Sequence, residues 1–129
     1  SMPDIPFFSL RPSPDKQERT AFRKWLNTHR PDAVIGHDYV LNTLRELDIA
    51  VPGEAAFACY ALWENKAGEP DIAGVNVDLQ RVGELALELC HLELERPALS
   101  VRHSRILHLV EPQWRDGASL PLRCATRHG

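Results

Sequence analysis

The chain has 129 residues and carries 15 Lys and Arg against 18 Asp and Glu, a formal net charge of −3, with 43% hydrophobic residues. That length suits one domain with a true core, and the mildly acidic balance excludes the basic footprint of a nucleic-acid-binding surface. No apolar run approaches the length that spans a bilayer and no leader pattern opens the chain, so the reading places it in the cytoplasm, away from any membrane.

Ser1-Met2 reads as the remnant of a cleaved tag and is set aside. Ile5 to Leu10, with Phe7 and Phe8, reads as a short buried strand after Pro6. Ser13 as N-cap, Pro14 in the first helical position and Asp15 just inside predict a helix start. That helix runs to Thr28 or His29, turns Ala21, Phe22, Trp25 and Leu26 to the core, and is stopped by Arg30-Pro31. Ala33-Val34-Ile35, ending in Gly36, is the pattern of an interior parallel strand covered on both faces. Asp38 then caps a helix whose core stripe is Val40, Leu41, Leu44 and Leu47.

Val51-Pro52-Gly53 is a turn, and Ala55 to Tyr60 a second interior strand. Residues 61 to 71 form a polar loop long enough to bind something, with Trp63, Glu64 and Asn65 in it. Ile72 to Val75 returns to strand. Leu79, Val82, Leu85, Ala86, Leu89 and Cys90 recur at helical spacing until Arg96, where Pro97 ends the helix. Arg105 to Val110 alternates as a final strand, and residues 121 to 129 read as a disordered tail. Strands alternating with helices imply the α/β class, a mainly parallel sheet flanked by helices.

The polar pair His37-Asp38 stands where the first strand ends and its helix begins, the junction at which open α/β sheets hold ligands. The helix N-terminus adds N–H groups that favour polar or anionic atoms. Two plainer roles remain beside this: His37 as an exposed turn residue and Asp38 as a helix cap. Arg11, just past the first predicted strand, could fork onto a carboxylate or phosphate, or lie solvated in its loop. Trp63 could stack on a sugar face from the crevice loop, or sit exposed or at a lobe interface, whereas Trp25 belongs to the core and Trp114 to packing.

Chemistry of other kinds finds little support. No Gly-x-Ser-x-Gly elbow or Gly-rich phosphate loop occurs. His103 and His108 fall on opposite faces of the predicted last strand and His91 stands alone on a helix, so no metal and no cofactor is expected. Glu84, Glu88, Glu93 and Glu95 read as a solvated helix face. Among the cysteines, Cys59 and Cys90 read as small buried residues and Cys124 lies in the tail.

Several segments resemble a known family. They are Arg30-Pro31-Asp32-Ala33-Val34-Ile35, the Gly36-His37-Asp38 turn, Leu44 to Leu47 leading into Val51-Pro52-Gly53-Glu54, Tyr60, and Gly83 in the last long helix. Val110-Glu111-Pro112-Gln113-Trp114-Arg115-Asp116-Gly117-Ala118-Ser119 is similar to a closing Trp-x-x-Gly-x-Ser segment. Over residues 5 to 120 the chain thus resembles the effector-binding domain of LacI-type (lactose-repressor family) transcription regulators, whose fold is shared with periplasmic sugar-binding proteins.

The resemblance implies one lobe of a type I periplasmic-binding-protein-like fold over residues 3 to 120, as part of a longer regulator. It implies a small, sugar-like effector bound between lobes, a homodimer, and DNA contact only through a helix-turn-helix domain absent here. His37 then stands where the family uses a polar residue against the effector, and Tyr60 faces the same crevice. Two positions depart: Ala61 replaces a carboxylate that grips ligand hydroxyls, and Val77 replaces a glutamine, leaving Asn76 as the nearest amide. In the family the chain crosses to the other lobe after the strand equivalent to Ile72–Val75. The helix from Leu79 would then be left with an apolar face, and self-association through it or the final strand is expected. The alternatives are a solute-binding protein of a transport system, which shares the fold, and a small α/β enzyme.

Overall fold

The computed structural model describes residues 4–62, 71–96 and 106–122. Its elements, in chain order, are α1 (Lys16–His29), β1 (Ala33–Gly36), α2 (Asp38–Glu46), β2 (Ala56–Leu62), β3 (Ala73–Asn76), α3 (Leu79–Leu94) and β4 (Gln113–Arg115). The strands form one sheet in the order β1-β2-β3-β4. β1, β2 and β3 run parallel and β4 runs antiparallel to β3. The α/β, mainly parallel architecture expected from the alternation of elements is the one observed.

Helix α1 starts two residues later than Ser13-Pro14 suggested. Asp15 is the N-cap, its carboxylate accepting the Glu18 N–H at 2.8 Å. A carboxylate facing the positive end of the helix dipole makes a stronger cap than the Ser13 hydroxyl. At the other end Arg30 turns into the left-handed region, φ 45°, and its N–H returns to the Leu26 carbonyl at 2.8 Å. Pro31 follows and the helix cannot continue.

The core lies between α1, α2 and one face of the sheet. Phe22 and Leu26 of α1 and Val40, Leu41 and Leu44 of α2 meet Val34, Phe57, Cys59 and Leu62. Each large apolar side chain fully buried there contributes about 1.5–3 kcal/mol. Trp25 is half-buried, in ring contact with Phe8 and Phe22, while Ala21 is exposed. An Arg19–Glu46 ion pair and an Arg23 bond to the Leu47 carbonyl tie α1 to the end of α2.

Four expectations need correction. β1 is not covered on both faces: Val34 is buried but Ile35, on the opposite face, is 75% exposed. α1 and α2 both pack on the Val34 face, and among the described residues no helix closes the other one. Ile5–Leu10 forms no strand, because its neighbourhood satisfies the backbone differently. The Leu10 carbonyl accepts the Tyr39 hydroxyl at 3.2 Å and the next N–H, of Arg11, goes to Glu18 at 2.8 Å. Phe8 and Leu10 still lean on the core while Phe7 is 85% exposed.

The periodic stripe of α3 is real, but among the described residues no element closes over it. No residue of α3 is buried, Leu85 and Leu89 are only half-buried, and Cys90 is exposed rather than internal. The final strand is Gln113–Arg115, not Arg105–Val110; within the latter, residues 106–110 carry no strand and Ile106, Leu107 and Leu109 are exposed. Alternation alone does not make a strand without an edge to pair with. The predicted tail from 123 on, Cys124, His103 and the loop 63–70 lie outside the described residues.

The segment after β4 locks the sheet. Ser119 is buried, and its hydroxyl donates to the Phe57 carbonyl at 2.8 Å while accepting the Ala73 N–H at 2.9 Å. Its own carbonyl takes the Phe57 N–H at 2.8 Å. One side chain thereby bridges Phe57 of β2 and Ala73 of β3, adding to the pairing these residues make with Val34 and Ala58. Gly117 lets the segment come that close, since a Cβ there would stand 2.5 Å from the Ala73 nitrogen.

Candidate functional site

Three parallel strands end on one rim of the sheet, at Gly36, Leu62 and Asn76. Antiparallel β4 begins on it, with Gln113 opposite Asn76. Such a rim, at the carboxyl ends of parallel strands, is where doubly wound sheets accept ligands.

Pairing register decides which side chains meet there. Gly36 pairs with Cys59, so His37, just past the end of β1, comes level with Tyr60 of β2, which runs on to Leu62. Their rings touch edge to face, with centroids 5.8 Å apart and planes at 74°. On its other side the imidazole stacks on Tyr39, at 5.2 Å and 19°. Nδ1 of His37 bonds to Oδ1 of Asp38. A carboxylate only accepts, so Nδ1 carries the proton, and Nε2 of the neutral ring is left as an acceptor. His37 is half-buried, while Tyr60 is 55% exposed. Gly36 allows this packing, because a Cβ there would meet Val40 Cγ2 at 2.9 Å.

Asp38 is not the N-cap of α2. His37 holds that position, without a side-chain cap bond, and Asp38 is the first helical residue. Its carboxylate accepts the Tyr39 N–H at 2.7 Å, and the Val40 N–H goes to the His37 carbonyl at 2.9 Å. These two amides of the first turn are thus already occupied, which leaves the dipole but fewer donors for an incoming anion.

The remaining candidates are spread out. Asn76 lies at the same rim two strands away, roughly 10 Å across the sheet at ordinary strand spacing, in an open depression with Asp78 and Arg81. Arg11 does not join the cluster. Its Nε bonds Glu18 at 2.8 Å and Nη2 bonds Asp15 at 3.0 Å, so it braces the start of α1. This holds both carboxyls below their usual range. Backbone N–H bonds are the main cause, from Glu18 to Asp15 and from Arg11 to Glu18, with the guanidinium adding to each. Trp63 lies outside the described residues. Trp114 is half exposed and donates from Nε1 to Asp116 at 2.9 Å, instead of packing inside.

Two rim residues escaped the sequence reading. Tyr39 gave no signal because an aromatic residue in the first turn of a helix has no fixed role, and Gln113 was hidden while β4 was expected elsewhere. Among the described residues no group of three metal-ligating side chains gathers. No described helix is long and apolar enough to cross a membrane.

No protein-family model and no curated protein matches the chain. Among solved structures, a PurR family transcriptional regulator from Vibrio parahaemolyticus RIMD 2210633 superposes on it with a TM-score of 0.59 and 17% identity. The overlap covers 86% of this chain and 42% of that chain. This chain has the fold of one part of that regulator. The similarity thus lies in the course of the backbone far more than in side chains. It agrees with the lobe expected from the strand–helix order and the Gly36-His37-Asp38 turn.

Proposed function

We propose that this chain is the effector-sensing and dimerising part of a LacI-type transcription regulator, with a small molecule held on the rim by His37, Asp38 and Tyr60. The single observation that carries the reading is the meeting of those three side chains at the carboxyl ends of parallel strands, in a fold shared with a transcription regulator. Asn76 and Gln113 offer amides on the same rim. In this reading the chain supplies one wall of a cleft, and the ligand favours one closure state of the whole protein. DNA is contacted elsewhere in the regulator.

Self-association belongs to the same reading. Leu79, Val82, Leu87, Leu92 and Leu94 of α3 are exposed large apolar residues, and a helix that leaves so many uncovered is a candidate interface. An enzyme is the weaker reading, because the titratable side chains at the rim stand in separate groups, His37 and Asp38 beyond β1 and Asp78 and Arg81 beyond β3.

Calorimetry with pentoses, hexoses, uronic acids, nucleobases and simple aromatic compounds tests the proposal on this chain and on the regulator that contains it. Binding that His37→Ala and Tyr60→Ala abolish and Arg11→Ala spares is the expected result. Binding equally sensitive to all three, or to none, would remove the rim from the function.

A further inference from the structure

A second feature opens directly beneath the rim. Between the Ile5–Leu10 segment and the free edge of β1 runs a cavity of about 510 Å³, within the size range of small-molecule sites. It is walled by Phe7, Phe8, Trp25, Ile35, Tyr39 and Tyr60, and apart from the two tyrosines His37 is the one ionisable side chain that lines it. The Tyr39 hydroxyl is already donated to the Leu10 carbonyl. Ser9 and Tyr60 are the other side chains there with a hydroxyl.

We infer that this cavity receives the body of the effector, and that the effector is an aromatic compound bearing a hydrogen-bond donor, such as an indole, a phenol or an arylalkylamine. The inference rests on the effector-binding reading above and narrows its ligand class.

Polarity and charge select that class. A sugar, the ligand the resemblance implies, presents a ring of hydroxyls, and most would enter this cavity without a partner, losing water for nothing. An aromatic body instead exchanges water for Trp25, Tyr60 and Ile35, and gains ring contacts. The mouth of the cavity supplies acceptors. Asp38 holds Nδ1 of His37, so the neutral form of the ring presents a lone pair at Nε2, for which no hydrogen bond is seen among the described residues. The Asp38 carboxylate, on the other nitrogen of the ring, does not line the cavity but adjoins its His37 and is more than half exposed. Two acceptors, one of them anionic, call for a donor or a cation on the ligand, and repel an aromatic carboxylate. A protonated amine gains further from the tyrosine faces.

The test is a titration of the isotope-labelled chain with indole and tyramine, against glucose, ribose, adenine and phenylacetate. Indole and tyramine should shift the amides of Ile35, Gly36, His37 and Tyr60 and change Trp25 fluorescence, leaving the sugars and phenylacetate silent. Ile35→Lys, at a position exposed enough to leave the fold intact, should weaken both by tenfold or more. His37→Phe keeps a ring but removes the acceptor, and should weaken indole by roughly threefold to tenfold, the worth of one hydrogen bond. Binding of the arenes that ignores both variants overturns the inference. If sugars or adenine shift the rim amides and the arenes do not, the inference falls while the effector-binding reading stands. If no compound perturbs the rim, both fall.

Discussion

Removing the Ser119 hydroxyl is the sharpest test of how this sheet is held. Ser119→Ala leaves the backbone of the closing segment in place, including the bond from the Phe57 N–H to the Ser119 carbonyl at 2.8 Å. It strips the Phe57 carbonyl of a donor at 2.8 Å and the Ala73 N–H of an acceptor at 2.9 Å, in a position only 6% exposed. Water does not reach the site readily, so two backbone groups are orphaned instead of re-solvated. At about 1–3 kcal/mol for each buried group left unsatisfied, and with partial relaxation, the loss is about 2–4 kcal/mol.

That is a large share of the roughly 5–15 kcal/mol that holds an ordinary domain folded. Urea unfolding followed by far-ultraviolet circular dichroism should show the midpoint falling by about 1–2 M at unchanged slope. Amide exchange localises the effect: the Ala73 N–H should lose protection while the Phe57 N–H keeps most of its own. A loss below about 0.5 kcal/mol, the level of ordinary surface substitutions, together with an Ala73 amide that exchanges as slowly as before, would show that the hydroxyl does not bridge the strands.

Gly74→Ala should prevent folding or leave little soluble protein, because its Cβ would lie 2.1 Å from the Cys59 carbonyl oxygen across the β2–β3 ladder; a cooperative melt near that of the parent would contradict this. Under native conditions a thiol reagent should modify exposed Cys90 quickly and buried Cys59 only as the chain opens, read by mass spectrometry of peptides. Burial pushes the Cys59 thiol up, so the folded state keeps that proton to higher pH than the unfolded chain does. Its contribution is therefore complete below the ordinary thiol range of about 8.5 and declines as pH rises beyond it. Cys59→Ala should flatten that alkaline decline, and an identical decline in both proteins would discount the thiol.

Asp15 and Glu18 behave in the opposite sense. Their lowered folded pKa values give stability that is present above the usual carboxylate range and is lost as pH falls through the folded values. Glu18→Gln should thus make the α1 signal less sensitive to acid, with the largest difference between the variants near neutral pH. Light scattering over a concentration series should show self-association that Leu87→Glu and Leu92→Glu reverse. A chain that stays monomeric throughout would remove α3 as an interface.

Much of this protein is written in local pattern. The apolar triplet before Gly36, the Val40-Leu41-Leu44 stripe, and the Arg30-Pro31 stop each act through a few neighbouring residues, so the elements from α1 to α3 and their α/β order follow from reading along the chain. The His37-Asp38 junction was legible for the same reason, since a polar pair after a strand and before a helix is a local event. Tyr60 was expected there only through the family resemblance, and Tyr39 not at all. Tyr60 meets His37 through the Gly36–Cys59 register, and Tyr39 joins them because its ring stacks on the imidazole.

Pairing across strands also decided the ends of the fold. Ile5–Leu10 is an apolar run and residues 106–110 alternate, both strand-like signals, yet neither pairs, whereas Gln113-Trp114-Arg115, with no such signal, pairs with β3. The stripe of α3 predicted burial but not what it would be buried against, and no described residue covers it. Local propensity and periodicity are properties of a segment. Register, edge pairing and closure belong to two segments at once, and the free energy that settles them appears only when distant parts of the chain are brought together.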